Sequence, residues 1–176
     1  MELQFTSAAV VVVAGVPGAG KSTLIRRAAP PGARVVDTDD ARARGRGGRG
    51  LYLRHYARIA RAVAGRRPVV IHTRGTRPAA RRAIRLLAAL AGRPAHLVLV
   101  DAPREVAEAG QRERGRTVSQ AVMDAEWRRW QRLLIGGVGA EHWRSLDVLS
   151  REEAAQVTAF SFGAAPRGAA RPLVVA

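Results

Sequence analysis

The sequence predicts an α/β domain: a mostly parallel five-stranded sheet with helices on both faces. Two observations carry this. Short apolar, β-branched runs alternate with stretches of helical period along the whole chain. A glycine-rich loop also joins the first run to the first helix, in the order strand, loop, helix. At 176 residues the chain fits one domain with a sizeable core, and 47% hydrophobic content is incompatible with a disordered chain.

Residues 8–14, Ala-Ala-Val-Val-Val-Val-Ala, read as a first strand buried on both faces. Residues 22–29 follow as a helix stopped by Pro30-Pro31. Further strands are expected at 33–37, 68–72, 95–101 and 145–149. Between them, residues 51–64 place Tyr52, Tyr56, Ile59 and Val63 on one helical face. Residues 78–91 start with Pro78 at a first-turn position and carry Ile84, Leu87, Leu90 and Ala91. Residues 118–135 bring Met123, Trp127, Trp130 and Leu134 into register, the tryptophans reading as packing rather than base-stacking residues. Ser150-Arg151-Glu152-Glu153 has the form of a capping box that opens a last short helix. The domain is expected over 1–162, with residues 163–176 as a flexible tail.

Between the first strand and helix runs Gly15-Val16-Pro17-Gly18-Ala19-Gly20-Lys21-Ser22, which fits G-x-x-x-x-G-K-[ST], a phosphate-binding loop. Lys21 is the single lysine among 30 basic residues. A chain otherwise given over to arginine keeps lysine where a compact ammonium must meet a phosphate. Glycines let successive backbone N–H groups turn toward the anion, and the helix N-terminus adds its positive end. The nucleotide-binding set is therefore Gly15, Val16, Pro17, Gly18, Ala19, Gly20, Lys21, Ser22 and Thr23. The Ser22 hydroxyl is the expected Mg²⁺ ligand.

The formal net charge is +16 and the sequence pI about 11.9. Such charge fits a polyanionic partner (nucleotide, nucleic acid or another phosphorylated substrate) or a solvated basic surface. Residues 41–50, alternating arginine with alanine and glycine, are a basic low-complexity stretch of the same ambiguity. With no cysteine there is neither a disulfide framework nor a thiolate metal site. His55, His72, His96 and His142 show no metal-ligand spacing. No basic leader precedes the first apolar run and no run approaches a membrane span, so a cytoplasmic location and no membrane partner are expected.

Ligands of open parallel sheets bind beyond the carboxyl ends of the strands. The second strand ends in Asp37-Thr38-Asp39-Asp40-Ala41-Arg42. Phosphoryl transfer to a hydroxyl needs a carboxylate to take the hydroxyl proton, a role open to Asp39 or Asp40. Asp40 also suits the cap of a helix starting near Ala41. Arg42 suits an acceptor group or a phosphate. The third strand ends in His72-Thr73-Arg74-Gly75-Thr76-Arg77, with no acid. Thr73, Arg74, Thr76 and Arg77 are candidates for contacting an anionic acceptor, and Thr76 equally for capping the helix of Pro78. Asp101 reads as the cap of a helix beginning near Pro103.

Phosphate loop, then Asp39-Asp40-Ala41-Arg42 after the second strand, then an arginine-rich segment after the fourth: over about residues 8–150 the chain resembles the small P-loop kinases. These ATP-binding proteins of the AAA type include polynucleotide 5′-hydroxyl kinases, zeta-toxin-like kinases and kinases of small hydroxylated molecules. The resemblance implies a three-layer P-loop NTPase sandwich with strand order 2-3-1-4-5, and a lid at about 107–120. It implies ATP and Mg²⁺ as cofactors, Asp39 as the base and Arg42 as its partner; with no acid on the third strand, the metal depends on Ser22, the ATP oxygens, and Asp37 or Asp39 through water. Arg114 matches the lid arginine that stabilises the transferring phosphoryl group. A second lid arginine, usual four residues earlier, falls on Gly110, so Arg112 or Arg116 must serve. The alternatives are a nucleic-acid-binding NTPase or switch, and a nucleotide-binding module without turnover.

Overall fold

A computed structural model describes residues 1–37, 49–113, 115, 118–138 and 141–163 of the protein. The elements run β1 (Glu2–Thr6), β2 (Val10–Ala14), α1 (Lys21–Ala28), β3 (Arg34–Asp37), α2 (Arg49–Val63), β4 (Val69–His72), α3 (Pro78–Leu90), β5 (Ala95–Val100), α4 (Arg104–Arg112), α5 (Gln120–Gly136), β6 (Ser145–Leu149), α6 (Arg151–Gln156) and β7 (Ala159–Gly163). Five strands form one parallel sheet in the order β3-β4-β2-β5-β6. Numbered by the five expected strands, that is 2-3-1-4-5.

The burial pattern explains the architecture. Every residue of β2, β4 and β5 is buried, so the sheet centre is covered on both faces. Fully burying a valine, leucine or isoleucine contributes about 1.5–3 kcal/mol, and these three strands are made almost entirely of such residues. The helices supply the covering layers: Leu24 and Ile25 from α1, Ile59 and Val63 from α2, Ile84 from α3, and Met123 and Trp130 from α5 are all buried. Leu90, placed on the packing face of its helix by the sequence, is 77% exposed instead. It sits in the last turn of α3, where Ala88 takes the buried position. No helix among the described residues is long and apolar enough to cross a membrane.

A second, two-stranded parallel sheet joins β1 to β7, which the sequence reading missed. Glu2-Leu3-Gln4-Phe5-Thr6 alternates strictly, with Leu3 and Phe5 buried, but sequence gives no partner for so short a strand. Phe5 packs edge-on against Phe160 and His96. β7 runs through Gly163, into the first residue assigned to the tail.

Two buried polar groups fasten the amino ends of the main sheet. Arg93 donates to the carbonyls of Ala8 (2.7 Å), Ala9 (3.2 Å), Val63 (2.8 Å), Gly65 (2.8 Å) and Arg67 (2.6 Å). It thereby ties the carbonyls at the end of α2 to those at the entries to β2 and β4. His96, fully buried, bridges Thr6 Oγ1 (Nε2, 3.1 Å) and Ser145 Oγ (Nδ1, 2.8 Å), linking the two sheets.

Burial, with a smaller contribution from the charge of Arg144, pushes the His96 pKa down to about 4. The unfolded chain therefore binds a proton at this site between pH 6.5 and about 4 that the folded chain does not. Stability should be complete above pH 6.5 and fall by up to about 3 kcal/mol as pH drops through that window. Urea unfolding of the parent and His96→Asn at pH 7 and pH 4.5 measures this. The parent should lose more stability on acidification than the variant, and equal losses would refute the assignment.

Candidate active site

The phosphate loop begins where β2 ends. The Gly15 N–H donates to the Arg74 carbonyl (3.0 Å), tying the loop to the segment after β4. Gly20 starts α1 in the left-handed region (φ 100°), with its carbonyl accepting from Thr23 and Leu24 N–H groups. The first turn of α1 carries no acidic residue of its own to offset the positive helix end. Lys21 is 5% exposed, and its ammonium donates to the Val16 carbonyl across the loop (2.8 Å). Ser22 is half-buried and Thr23 exposed on the same first turn.

Helix α4 backs the loop closely. A Cβ added to Gly18, which has φ 89°, would lie 1.9 Å from the Ala107 carbonyl oxygen. A Cβ on Gly15 would lie 2.5 Å from the Val100 carbonyl oxygen. By contrast, nothing lies within 4 Å of a Cβ on Gly20. Gly20→Ala should therefore cost only left-handed strain, about 1–2 kcal/mol. Gly18→Ala adds overpacking against backbone and should cost about 2–4 kcal/mol. Chemical denaturation of both variants checks the order, and Gly20→Ala proving the more damaging would refute this loop geometry.

Gly110 lies on the same packed face. Its added Cβ would meet the Gly18 carbonyl oxygen at 2.9 Å and Arg151 Nη1 at 3.3 Å. This position, where the resemblance puts a lid arginine, has no room for a side chain. Arg151 instead brings a guanidinium from α6 to this spot and donates to the Val106 carbonyl (3.0 Å). Arg112 is exposed in the last turn of α4. The Ser150–Glu153 capping box forms as expected and sets the start of α6 beneath Arg151.

At the carboxyl ends of β3 and β4, Asp37 and His72 are register partners, and His72 Nδ1 lies 2.6 Å from Asp37 Oδ1. β4 lacks an acid of its own, yet its neighbour β3 supplies one beside it. The following loop is held from several sides. Gly75, at φ 62°, would place a Cβ 2.4 Å from Ala14 Cβ. Thr73 Oγ1 accepts from the Gly75 N–H (3.2 Å). Arg81 donates to the Gly75 carbonyl and to Glu141 (Nε to Oε2, 2.9 Å; Nη2 to Oε1, 2.5 Å). Burial alone would raise the Glu141 pKa. Hydrogen bonds from Arg81 and Trp143, with the charges of Arg81 and Arg82, hold it below the usual carboxylate value instead.

Two expected caps are not caps. Thr76 donates to Glu126, while Arg77 occupies the N-cap position of α3, because Glu126 on α5 reaches into the loop. Asp101 accepts from the Trp130 indole (2.7 Å) and the Ala102 N–H (3.0 Å), while Pro103 stands at the N-cap of α4. The roles of Glu126 and Arg151 went unnoticed in the sequence, since each reaches the site from a distant helix; Arg151 stands out there only as part of the Ser150–Glu153 capping box.

The structure brings the loop residues Gly15 to Thr23 together at one end of the sheet, beside Arg74, while Asp37 ends β3 two strands away. Asp39, Asp40, Arg42, Arg114 and Arg116 lie outside the described residues, as does most of the basic stretch 41–50. Among the described residues no group of three or more His, Cys, Asp or Glu is arranged to hold a metal ion.

No curated protein matches the sequence. Solved structures share the fold. A gluconokinase from Sinorhizobium meliloti 1021 superposes with a TM-score of 0.60 at 17% identity, over 87% of this chain and 89% of that one. Kti12 of Chaetomium thermophilum, solved with ADP-AlF3, gives 0.55 at 17% identity, over 85% and 95%. A structure from the PezAT chromosomal toxin-antitoxin system of Streptococcus pneumoniae gives 0.57 at 13% identity, over 84% and 70%. The family model described as an AAA domain matches residues 10–134, from the first residue of β2 almost to the end of α5. With the phosphate loop and the parallel sheet inside the matched span, the chain belongs to the AAA-domain family and is a nucleotide-binding P-loop protein that shares its fold with these neighbours.

Proposed function

We propose that the protein is a cytoplasmic, ATP- and Mg²⁺-dependent kinase that moves the γ-phosphoryl group of ATP to a hydroxyl on an anionic acceptor. The observation that carries this reading is the phosphate loop. Left-handed Gly18 and Gly20 turn its backbone, the Lys21 ammonium sits inside it, and a helix N-terminus with no acid in its own first turn lies beneath it. These residues fit a triphosphate, since they offer N–H donors and one compact cation and no carboxylate. The Ser22 hydroxyl fits a Mg²⁺ ion carried by that triphosphate, with Asp39 contributing through water. The bound nucleotide supplies the phosphoryl group, and the cation neutralises its charge.

The remaining roles fall to the protein. Lys21 and the loop amides orient the β- and γ-phosphates. Asp39 takes the acceptor hydroxyl's proton, and Arg42 holds the acceptor or a phosphate. Arg114, with Arg112 or Arg116, stabilises charge on the transferring group. The charge of +16 favours an anionic acceptor, with a nucleotide or nucleic-acid 5′-hydroxyl ahead of a neutral sugar.

The test is γ-labelled ATP with a 5′-hydroxyl oligonucleotide, a nucleoside monophosphate and a neutral sugar, at low and high salt. Acceptor-dependent ADP release with label transfer is expected. The preference for anions should weaken as salt screens exposed charges beyond about 8 Å. RNA-stimulated hydrolysis without label transfer would make the protein a nucleic-acid-binding NTPase instead. Nucleotide binding without turnover would make it a binding module. Salt-insensitive labelling of the sugar alone would leave a kinase but remove the anionic acceptor.

A further inference from the structure

Glu126 is a buried carboxylate on which two arginines from different elements converge. Its Oε2 accepts the Thr76 hydroxyl. Its Oε1 accepts from Arg129 Nη1 at 3.2 Å and from Arg74 Nη1 at 3.4 Å. Glu126 is 7% exposed at the side chain, but Arg74 is 29% and Arg129 33% exposed. One negative charge faces two positive ones, so the trio carries a net +1. Among the described residues, each guanidinium spends a single N–H group on Glu126, out of five.

The same molecule shows what a purely structural ion pair looks like. Arg81 and Glu141 are 2% and 8% exposed, and both Nε and Nη2 of the guanidinium bond the carboxylate. The Arg74–Glu126–Arg129 arrangement differs in each respect. It has one contact per arginine, at longer distance, with both arginine side chains about a third exposed. Two forks held close together over a shared carboxylate suit bidentate capture of an oxyanion.

Its position decides which oxyanion. The Arg74 carbonyl takes the Gly15 N–H at 3.0 Å, and Gly75 packs against Ala14. The Arg74 backbone is thus clamped to the entry of the phosphate loop, at the carboxyl end of the sheet where substrates bind. The triphosphate has its own cradle in the loop amides and Lys21, which leaves the arginine pair for the other substrate.

We propose that Arg74 and Arg129, anchored by Glu126, bind an oxyanion (phosphate or carboxylate) carried by the phosphoryl acceptor. This rests on the kinase reading for the word acceptor, but the anion site itself can be tested separately.

The experiment is calorimetric titration of the full chain, first saturated with Mg²⁺ and AMP-PNP to fill the phosphate loop, with inorganic phosphate and separately with acetate. At least one anion should bind. Arg74→Gln and Arg129→Gln should each weaken that binding roughly ten-fold or more, the worth of one charge-assisted contact. Both should leave AMP-PNP affinity unchanged. Arg66→Gln removes the same charge from an exposed residue before β4, at the opposite end of the sheet, and should have no effect. Arg74→Lys keeps the charge beside Glu126 and should recover part of the affinity, which guards against a folding defect. Tighter phosphate indicates a phosphorylated acceptor, and tighter acetate a carboxylate one. The inference is overturned if neither anion binds, or if Arg66→Gln costs as much as the paired variants. If AMP-PNP does not bind the parent chain but the Arg74- and Arg129-dependent anion site remains, the kinase reading fails and this site stands.

Discussion

Lys21→Ala is expected to abolish measurable turnover and to weaken nucleotide binding. The Lys21 ammonium is held 2.8 Å from the Val16 carbonyl, inside the loop that the γ-phosphate must enter. Losing one charge-assisted contact costs about 1.5–3 kcal/mol, or roughly 10–150-fold in affinity. Losing a donor that meets charge developing in the transition state costs about 10²–10³-fold more in rate. Lys21→Arg should not rescue it. Residue 21 is 5% exposed and its ammonium is held at 2.8 Å by the Val16 carbonyl, a buried point-charge site that the wider planar guanidinium suits poorly. Calorimetry with AMP-PNP measures affinity, and a coupled assay for ADP measures turnover. Saturating nucleotide should also raise the parent's thermal midpoint, since a ligand at 100 times its Kd adds about 2.7 kcal/mol, and at the same concentration this gain should shrink to about 0.3–1.4 kcal/mol in the variant. Unchanged affinity and turnover in Lys21→Ala would end the phosphate-loop assignment.

The parts of the site legible in the sequence are those whose chemistry is local. Gly15 to Ser22 is one contiguous loop, and the β-branched run before it can only be a buried strand, so both its place and its environment follow from the residues themselves. Ser150 and Glu153 cap each other three residues apart, within one turn, and this too was readable. The Asp37–His72 contact was accessible at one remove: once the second and third strands are neighbours in a parallel sheet, their last residues stand side by side. What remained hidden depends on long-range packing. Thr76 looks like a helix cap until Glu126, 50 residues away, takes its hydroxyl. Asp101 looks like another until the Trp130 indole reaches it. Gly110 appears to be a missing arginine, but its lack of a side chain is what lets α4 touch the Gly18 carbonyl. β1 was missed because five residues with two apolar positions become a strand only against β7, more than 150 residues later.

Asp39→Asn should lower turnover by about 10²–10⁴-fold, the usual worth of a positioned general base, with ATP affinity little changed. The argument starts from Asp37, the last residue of β3. Its Oδ1 is 2.6 Å from His72 Nδ1, so this carboxylate already serves the end of the sheet and is a poor choice to abstract a proton. Asp39 and Asp40 are the next carboxylates along the sequence after the end of β3. Asp40, one residue before Ala41, suits a helix cap, so Asp40→Asn should alter stability more than rate. Asp37→Asn should weaken the bond to His72, costing about 1.5–3 kcal/mol of stability. The three variants thus separate on two axes: Asp39 on turnover alone, Asp40 and Asp37 on stability. Steady-state kinetics with a labelled acceptor and urea unfolding of each variant place them. If Asp40→Asn carries the rate loss and Asp39→Asn the stability loss, the catalytic register is shifted by one residue. If Asp37→Asn carries the rate loss, the base is the carboxylate paired with His72, and proton transfer runs through that pair rather than through the segment that follows it.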